Sequence, residues 1–368
     1  MEGKMTAAVT RQTNRRKVYQ YIYRKTGRAA AEELAEALSL DMRTVTESLE
    51  DLVNEGLVTA APEENTYELN AQALYAVGVS IEQGKVYIAA LDMRLQELVS
   101  RELTVPFSHT DAYYRRLVQE MESLLNGSGL DRNRMLGVGI AVPGIIDRGR
   151  DKLVMAPTLN IWDVPLEEIY REFSRYPVYV ENDANASGYL EHWLDGGQRN
   201  MIYLSLKRGV GGAILLNDRQ YTGDNGRSGE FGHFRIVPNG RLCSCGRRGC
   251  LEEYCSMDRL STDLGITLAE FFACLEAGDE AVTAVWEEYR DHLTDALAVI
   301  RMSFDCDIML GGTLAAYLEP HFPEMYWELG EKTLFEAEGT FLHLERYGPH
   351  SDCAGSALRF INDFLLTF

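Results

Sequence analysis

The sequence predicts a small unit of three helices and a hairpin, followed by two α/β lobes. Three observations carry this reading. A chain of 368 residues, at roughly 150 per domain, allows two to three domains. Helix and turn signals crowd the first 70 residues, and from Leu74 onward apolar β-runs alternate with helical stretches. The 46% hydrophobic and 25% charged composition excludes disordered and collagen-like chains. No apolar run approaches the about 18 residues of a membrane span, and the opening MEGKMTAAVTRQTNRRK lacks the apolar core of a signal peptide. A cytoplasmic location without membrane contact is the expectation.

Asn14 to Thr26 reads as a helix with Val18, Ile22 and Tyr21 or Tyr23 on its apolar side, ended by Gly27. Ala31 to Leu38 forms a second, with Leu34, Ala35 and Leu38 on one face. Asp41 can cap a third, whose buried positions are read as Val45, Leu49, Leu52 and Val53, closed by Gly56. Two β-prone runs, Leu57 to Ala60 and Thr66 to Leu69, flank the turn-forming Pro62, Glu63, Glu64 and Asn65. Helices in that order with a hairpin make a winged helix-turn-helix over residues 1–70, although units of this size also serve as dimerisation or adaptor modules.

Net charge divides the chain in the same place. The whole carries −20, which opposes nucleic-acid binding, yet the segment up to Arg28 carries +7 and the remainder −27. Residues placed to read base edges are Met42, Arg43, Thr44 and Thr46 at the start of the third helix, with Arg15 and Arg16 expected on phosphates. Only Arg43 is basic among the first four, so DNA binding should be weak or salt-sensitive. It should also need a homodimer or larger assembly on a two-fold operator.

In the α/β part, Tyr75 to Ser80 and Lys85 to Leu91 alternate like paired strands, Leu117 to Leu125 is helical, and Met135 to Val142 is an apolar strand ending at Pro143-Gly144. A second set begins with a strand at Pro177 to Glu181 and a helix at Asn185 to Trp193. Met201 to Lys207 and Gly212 to Leu216 read as a hairpin through Asn217-Asp218, and Ile308 to Leu310 runs into Gly311-Gly312. Two lobes of about 150 residues with a cleft between them follow.

Four of the seven cysteines fall between Cys243 and Cys255. His233, Cys243, Cys245 and Cys250 offer three thiolates and an imidazole, a full tetrahedral zinc set with no position left for water, hence a structural rather than catalytic metal. Cys255, Cys274, Cys306 and Cys353 read as core. Glu181, Asp183, Glu230 and Glu252, with Asn182 and Asn185 interleaved, are what a polyhydroxylated ligand needs at a cleft. Asp183 follows a β-run and precedes a helix, the usual site position in open α/β sheets.

The run Asn182-Asp183-Ala184-Asn185, then Gly223, Asn225-Gly226, Gly229-Glu230-Phe231-Gly232-His233 and Cys-x-Cys-Gly-x-x-x-Cys-Leu-Glu ending at Glu252, resembles the ROK family of sugar kinases and sugar-responsive repressors. The likeness spans essentially the whole chain, including the helix-turn-helix carried by the repressor branch alone. It implies the two-lobed, actin-like and sugar-kinase-like ATPase fold over residues 71–368, preceded by the mainly helical winged unit. It also implies that Asn182, Asp183, Glu230, His233 and Glu252 contact a sugar, with Gly144 in a turn near the same pocket. His233 would ligate zinc as well, and Asp183 would be the catalytic base in a kinase.

Departures from the family pattern separate the two activities. Kinases of the family open with Asp-x-Gly-Gly-Thr-Lys, where this chain has Ser80, Ile81, Glu82, Gln83, Gly84 and Lys85. The acid and both glycines are replaced, and Glu82 puts negative charge where phosphate should sit. A second phosphate turn reads Lys207, Arg208 and Gly209, and only Gly311-Gly312 survives of the glycine pairs. Two function classes remain: a repressor that binds operator DNA as a homodimer and takes a free monosaccharide as effector, or an ATP-dependent hexose kinase with a degenerate phosphate loop. Missing phosphate-handling residues favour the repressor.

Overall fold

Helix α1 spans Glu2–Arg24, beginning well before Asn14. No Gly or Pro interrupts residues 4–26, and residues 9–12 are exposed, so this stretch lacks the apolar periodicity that marks a helix in sequence. The computed structural model describes residues 2–25, 27–197 and 199–368, with side chains from Val9 onward; Thr26, the expected helix end, lies outside the described residues. After β1 (Arg28–Ala30) come α2 (Ala31–Leu38) and α3 (Met42–Asn54). Asp41 caps α3 by accepting from the Thr44 amide at 2.9 Å. Gly56 ends the segment at φ +73°, a left-handed turn that favours glycine. Val45, Leu49 and Leu52 are fully buried, but Val53 is 39% exposed, because it lies one position round from the Leu49 and Leu52 stripe. Strands β2 (Val58–Ala60) and β3 (Thr66–Leu69) pair as expected, and β1, too short to leave a sequence pattern, joins them in the order β1-β3-β2.

The first lobe comprises β4 (Tyr75–Ile81), β5 (Lys85–Asp92), β6 (Glu97–Thr104), α4 (Asp111–Ser128), β7 (Met135–Val142), β8 (Ile145–Asp147), β9 (Lys152–Ala156), β10 (Ile161–Pro165), α5 (Glu167–Glu172) and β11 (Val178–Asn182). Its main sheet has the order β11-β7-β4-β5-β6, with β4, β7 and β11 parallel; β8 to β10 form a small antiparallel sheet. Helix α6 (Asp183–Leu194) leads to the second lobe of β12 (Met201–Leu206), β13 (Val210–Leu216), β14 (Arg219–Gln220), α7 (Glu252–Cys255), α8 (Leu268–Glu276), α9 (Glu280–Phe304), β15 (Asp307–Gly311), α10 (Phe322–Lys332) and β16 (Leu342–Leu344). Its sheet runs β14-β13-β12-β15-β16. The β12–β13 hairpin turns at Lys207-Arg208-Gly209, not at Asn217-Asp218. That pair, both at positive φ (53° and 59°), makes the tight turn from β13 into β14 instead.

The last helix, α11 (Ser351–Thr367), returns to the first lobe and lies against β4, β7 and α6. Its buried Ala354, Ala357, Leu358, Ile361 and Leu365 share one apolar cluster with Val18, Tyr19, Ile22, Leu34, Val45 and Leu49 of the first three helices and with Ala76, Ala89 and Leu91 of the sheet. The core is therefore continuous across residue 70. Cys255, Cys306 and Cys353 are buried and Cys274 half-buried. No helix among the described residues is long and apolar enough to cross a membrane.

Candidate functional site

A cavity of about 770 Å³ opens between the lobes, lined by Gly144, Asn182, Asp183, Asn185, Glu230, His233 and Glu252 among others. Asp183 is the first residue of α6, placed there by the end of β11. Glu230 follows Gly229 (φ +84°), where a Cβ would come within 2.5 Å of the Gly212 carbonyl, so the loop folds back onto β13. Glu252 starts α7 and accepts the Val210 amide at 3.0 Å. Burial, with Asp183 and Glu252 facing it, pushes the Glu230 carboxyl up to about 7. Burial also raises Asp183 and Glu252, against the pull of Lys207 on the former. Three carboxyls held this way can each accept or donate to a hydroxyl, and the buried hydroxyls of Ser205 and Thr158, which have no hydrogen-bond partner among the described residues, line the same space.

Two expected contacts differ in detail. Both ends of the Asn182 amide are engaged: its oxygen caps α6 through the Asn185 amide at 2.9 Å, and its nitrogen donates to the Gly144 carbonyl at 2.9 Å. Asn182 thus shapes the cleft floor. Glu181 is directed away from the carboxylate cluster and pairs with Arg148 at 3.1 Å and, at 2.9 Å, with Tyr179, two residues back on the same face of β11.

His233, Cys243, Cys245 and Cys250 come together with their ligand atoms within 4.8 Å of one another. Cys245 Sγ lies 3.7 Å from Cys250 Sγ, and Cys243 Sγ lies 3.7 Å from His233 Nδ1. Those separations match the edge of a tetrahedron with metal–sulfur bonds of about 2.3 Å and are far beyond a disulfide of about 2.05 Å. Burial lowers the His233 pKa and favours the neutral ring that ligation requires. Its Nε2 faces Glu230 Oε2 at 3.9 Å, so one ring adjoins both the cluster and the cleft.

The side of the cleft beside Ser80 contains a group that sequence reasoning missed. Asp352, at the head of α11 and 2% exposed, accepts from Ser80 Oγ at 2.8 Å and from Lys207 Nζ at 2.7 Å. A carboxylate therefore stands beside the serine that replaces the family's acid, supplied from 272 residues away. Burial opposes both charges, yet Asp352 is held below and Lys207 above its ordinary range by their pairing. Arg208 reaches Gln83 at 3.1 Å and Asp258 at 3.2 Å. Lys207 and Arg208 are thus contacts between the lobes, with Glu82 also lining the cavity. An acid at the start of an apolar C-terminal helix was the available signal for Asp352.

In the first unit Met42 is 43% exposed and the Arg43 side chain 87%, with Arg43 on Glu47 at 2.8 Å. The Thr44 and Thr46 hydroxyls donate to Asp41 and to the Met42 carbonyl. Arg15 and Arg16 are turned inward: Arg15 pairs with Glu55 and lies over the Phe368 ring, and Arg16 donates to the Leu366 carbonyl at 2.8 Å. Their expected phosphate role is not what this packing favours, since α1 uses them to dock on α3 and α11. Arg11 likewise pairs with Asp51, whereas Lys17 and Arg24 are exposed with no ion pair among the described residues.

A sequence model described as ROK family matches residues 76–352. The xylose repressor of Bacillus spizizenii is 30% identical over 244 residues, covering 63% of this chain and 63% of that protein. A glucokinase of Streptomyces coelicolor is 33% identical over 182 residues, covering 49% of this chain and 56% of its own length. The chain thus spans less than two thirds of these curated relatives. Among solved structures, a ROK family transcriptional regulator described as a homolog of E. coli MLC superposes with a TM-score of 0.77 at 22% identity, over 97% of this chain and 98% of that one. The ROK glucokinase of Streptomyces griseus, in complex with glucose and AMPPNP, gives 0.65 at 24% identity over 77% of this chain and 98% of its own. Likeness at these identities establishes the fold, a mixed α/β sugar-kinase-like architecture.

Proposed function

Because the chain belongs to the ROK family, we propose that it is a sugar-responsive transcriptional repressor of carbohydrate-utilisation genes. In this reading residues 1–70 bind operator DNA as part of a homodimer, and residues 71–368 bind a free monosaccharide between the lobes. A structural zinc on His233, Cys243, Cys245 and Cys250 would tie down the loop that carries Glu230 and Glu252; the 3.7 Å separations support that assignment. Asn182, Asp183, Glu230, His233, Glu252 and Gly144 would form the sugar subsite.

The observation that carries the repressor over the kinase is the Lys207–Asp352 pair at 2.7 Å. Lys207's charge is spent on Asp352, and Glu82 adds another acid, so a triphosphate would meet net negative charge where a kinase offers glycine amides. The same balance disfavours a phosphorylated sugar and favours a neutral one. The kinase reading keeps one specific support, since Asp183 occupies the position of the family's base and glucokinases are among the relatives. The deciding experiment is operator capture from genomic DNA with a panel of free sugars, run beside an ADP-release assay with Mg·ATP. Sugar-dependent capture without turnover supports the repressor. Turnover of about 1 per second or faster that vanishes in Asp183→Ala would make the protein a kinase.

A further inference from the structure

Helix α11 runs from the cleft to the first helix of the chain. At its head Asp352 holds Lys207 Nζ, which belongs to the β12–β13 turn of the other lobe and lies 4.0 Å from Asp183 Oδ2 as well. The ammonium thus stands between the first turns of α11 and α6. At its tail, the Leu365 and Leu366 carbonyls, past the reach of the helical ladder, accept from Gln20 at 2.5 Å and Arg16 at 2.8 Å of α1. Phe364 and Phe368 pack on the fully buried Tyr19, with ring centroids at 6.0 and 5.3 Å. Between the ends there is no slack: a Cβ on Gly355 would meet the Ala186 carbonyl at 2.0 Å, and one on Gly78 would meet the Cys353 carbonyl at 2.1 Å.

We propose that Lys207 senses the effector, and that α11 is the rigid arm that carries its position to the DNA-reading unit. This rests on the reading of the cleft as a sugar site. A sugar hydroxyl that donates to Asp183 competes for the carboxylate next to the ammonium, and closing the lobes around the ring moves the turn that carries Lys207. Breaking a buried charge pair leaves an uncompensated ion, so Asp352 follows the ammonium and the head of α11 moves with the second lobe. The tight glycine contacts keep α11, about 25 Å long for its 17 residues, from bending and make β4 and α6 shift with it as one body, and α1 is fastened to its far end. Sugar then alters operator affinity by favouring one lobe placement over the other.

The test uses the full chain. Amide hydrogen exchange is compared between wild type and Lys207→Met without sugar or DNA, with Ser80→Ala as a milder loosening of Asp352 should the first variant fold poorly. Exchange should rise about ten-fold both at residues 351–354 and at the remote contact, residues 16–24 and 364–368. An increase confined to the cleft overturns the proposal, whether or not a sugar or an operator is ever found. In a second arm, Gln20→Leu should leave sugar affinity without DNA unchanged while reducing the sugar-induced shift in operator affinity by about five-fold or more. A wild-type-sized shift in that variant also overturns it. Absence of any sugar binding in wild type would instead sink the functional reading, and the exchange arm would still decide the coupling.

Discussion

His233 serves two neighbours through one ring, Nδ1 toward Cys243 and Nε2 toward Glu230. A bound metal would therefore fix the imidazole that borders the proposed sugar subsite. Cys245→Ser removes one of the four ligands of the cluster. Elemental analysis should find the zinc lost from the purified variant, and sugar affinity should weaken because the loop between Glu230 and Glu252 loosens. Glu345 gives a second test at this scale. Its carboxyl accepts from Tyr203 at 2.8 Å and the Gly312 amide at 3.2 Å, and burial, against the pull of Tyr203, pushes it from 4.5 up to about 7. Between those values the folded state keeps a proton that the unfolded state has lost, so this group makes stability fall as pH rises from about 4.5 to about 7. Denaturant unfolding of Glu345→Gln across that range should show a smaller fall than wild type.

Helices α6 and α3 are each set by a side-chain cap, and each carries a proposed reading residue in its first turn. Asn182→Ala removes the α6 cap and the tie to Gly144, so stability should drop by about 1 kcal/mol in urea titration and sugar affinity should fall with it. Helix α3 offers Met42 and Arg43 beyond the protein surface. Arg43→Ala should relax base preference in a binding-site selection while leaving the fold intact, since the side chain is 87% exposed and held by an ion pair with Glu47. Arg15→Ala should act differently, through lost packing on Phe368 and Glu55, and lower thermal stability. The Asp41 cap was legible because it stands just before an apolar periodic run; the Asn182 cap was not, because α6 begins two residues ahead of the Asn185 start that the sequence suggested. The inward turn of Arg15 and Arg16 was not, because the partners that turn them lie at Glu55, Leu366 and Phe368.

For the whole molecule, so many basic residues of the first unit are engaged by Asp51, Glu55, Glu33, Glu63, Glu68 and Glu47 that few remain for phosphates. Operator affinity should therefore depend on salt less steeply than a full basic interface would, with a log–log slope of about −0.9 for each phosphate contacted. A salt titration by anisotropy, with sedimentation showing a dimer on a two-fold site, checks this; a slope near −10 would contradict it. The sequence by itself determined the three helices and hairpin of the first unit, the principal strands of the two lobes, the Cys and His set and the acidic motifs, because caps, periodicities and ligand spacing are local properties. Tertiary structure alone decided that Asp352 faces Ser80 and Lys207, and that α11 joins the cleft to α1. Those contacts close loops of hundreds of residues, where packing of a shared core rather than any local pattern selects the partner.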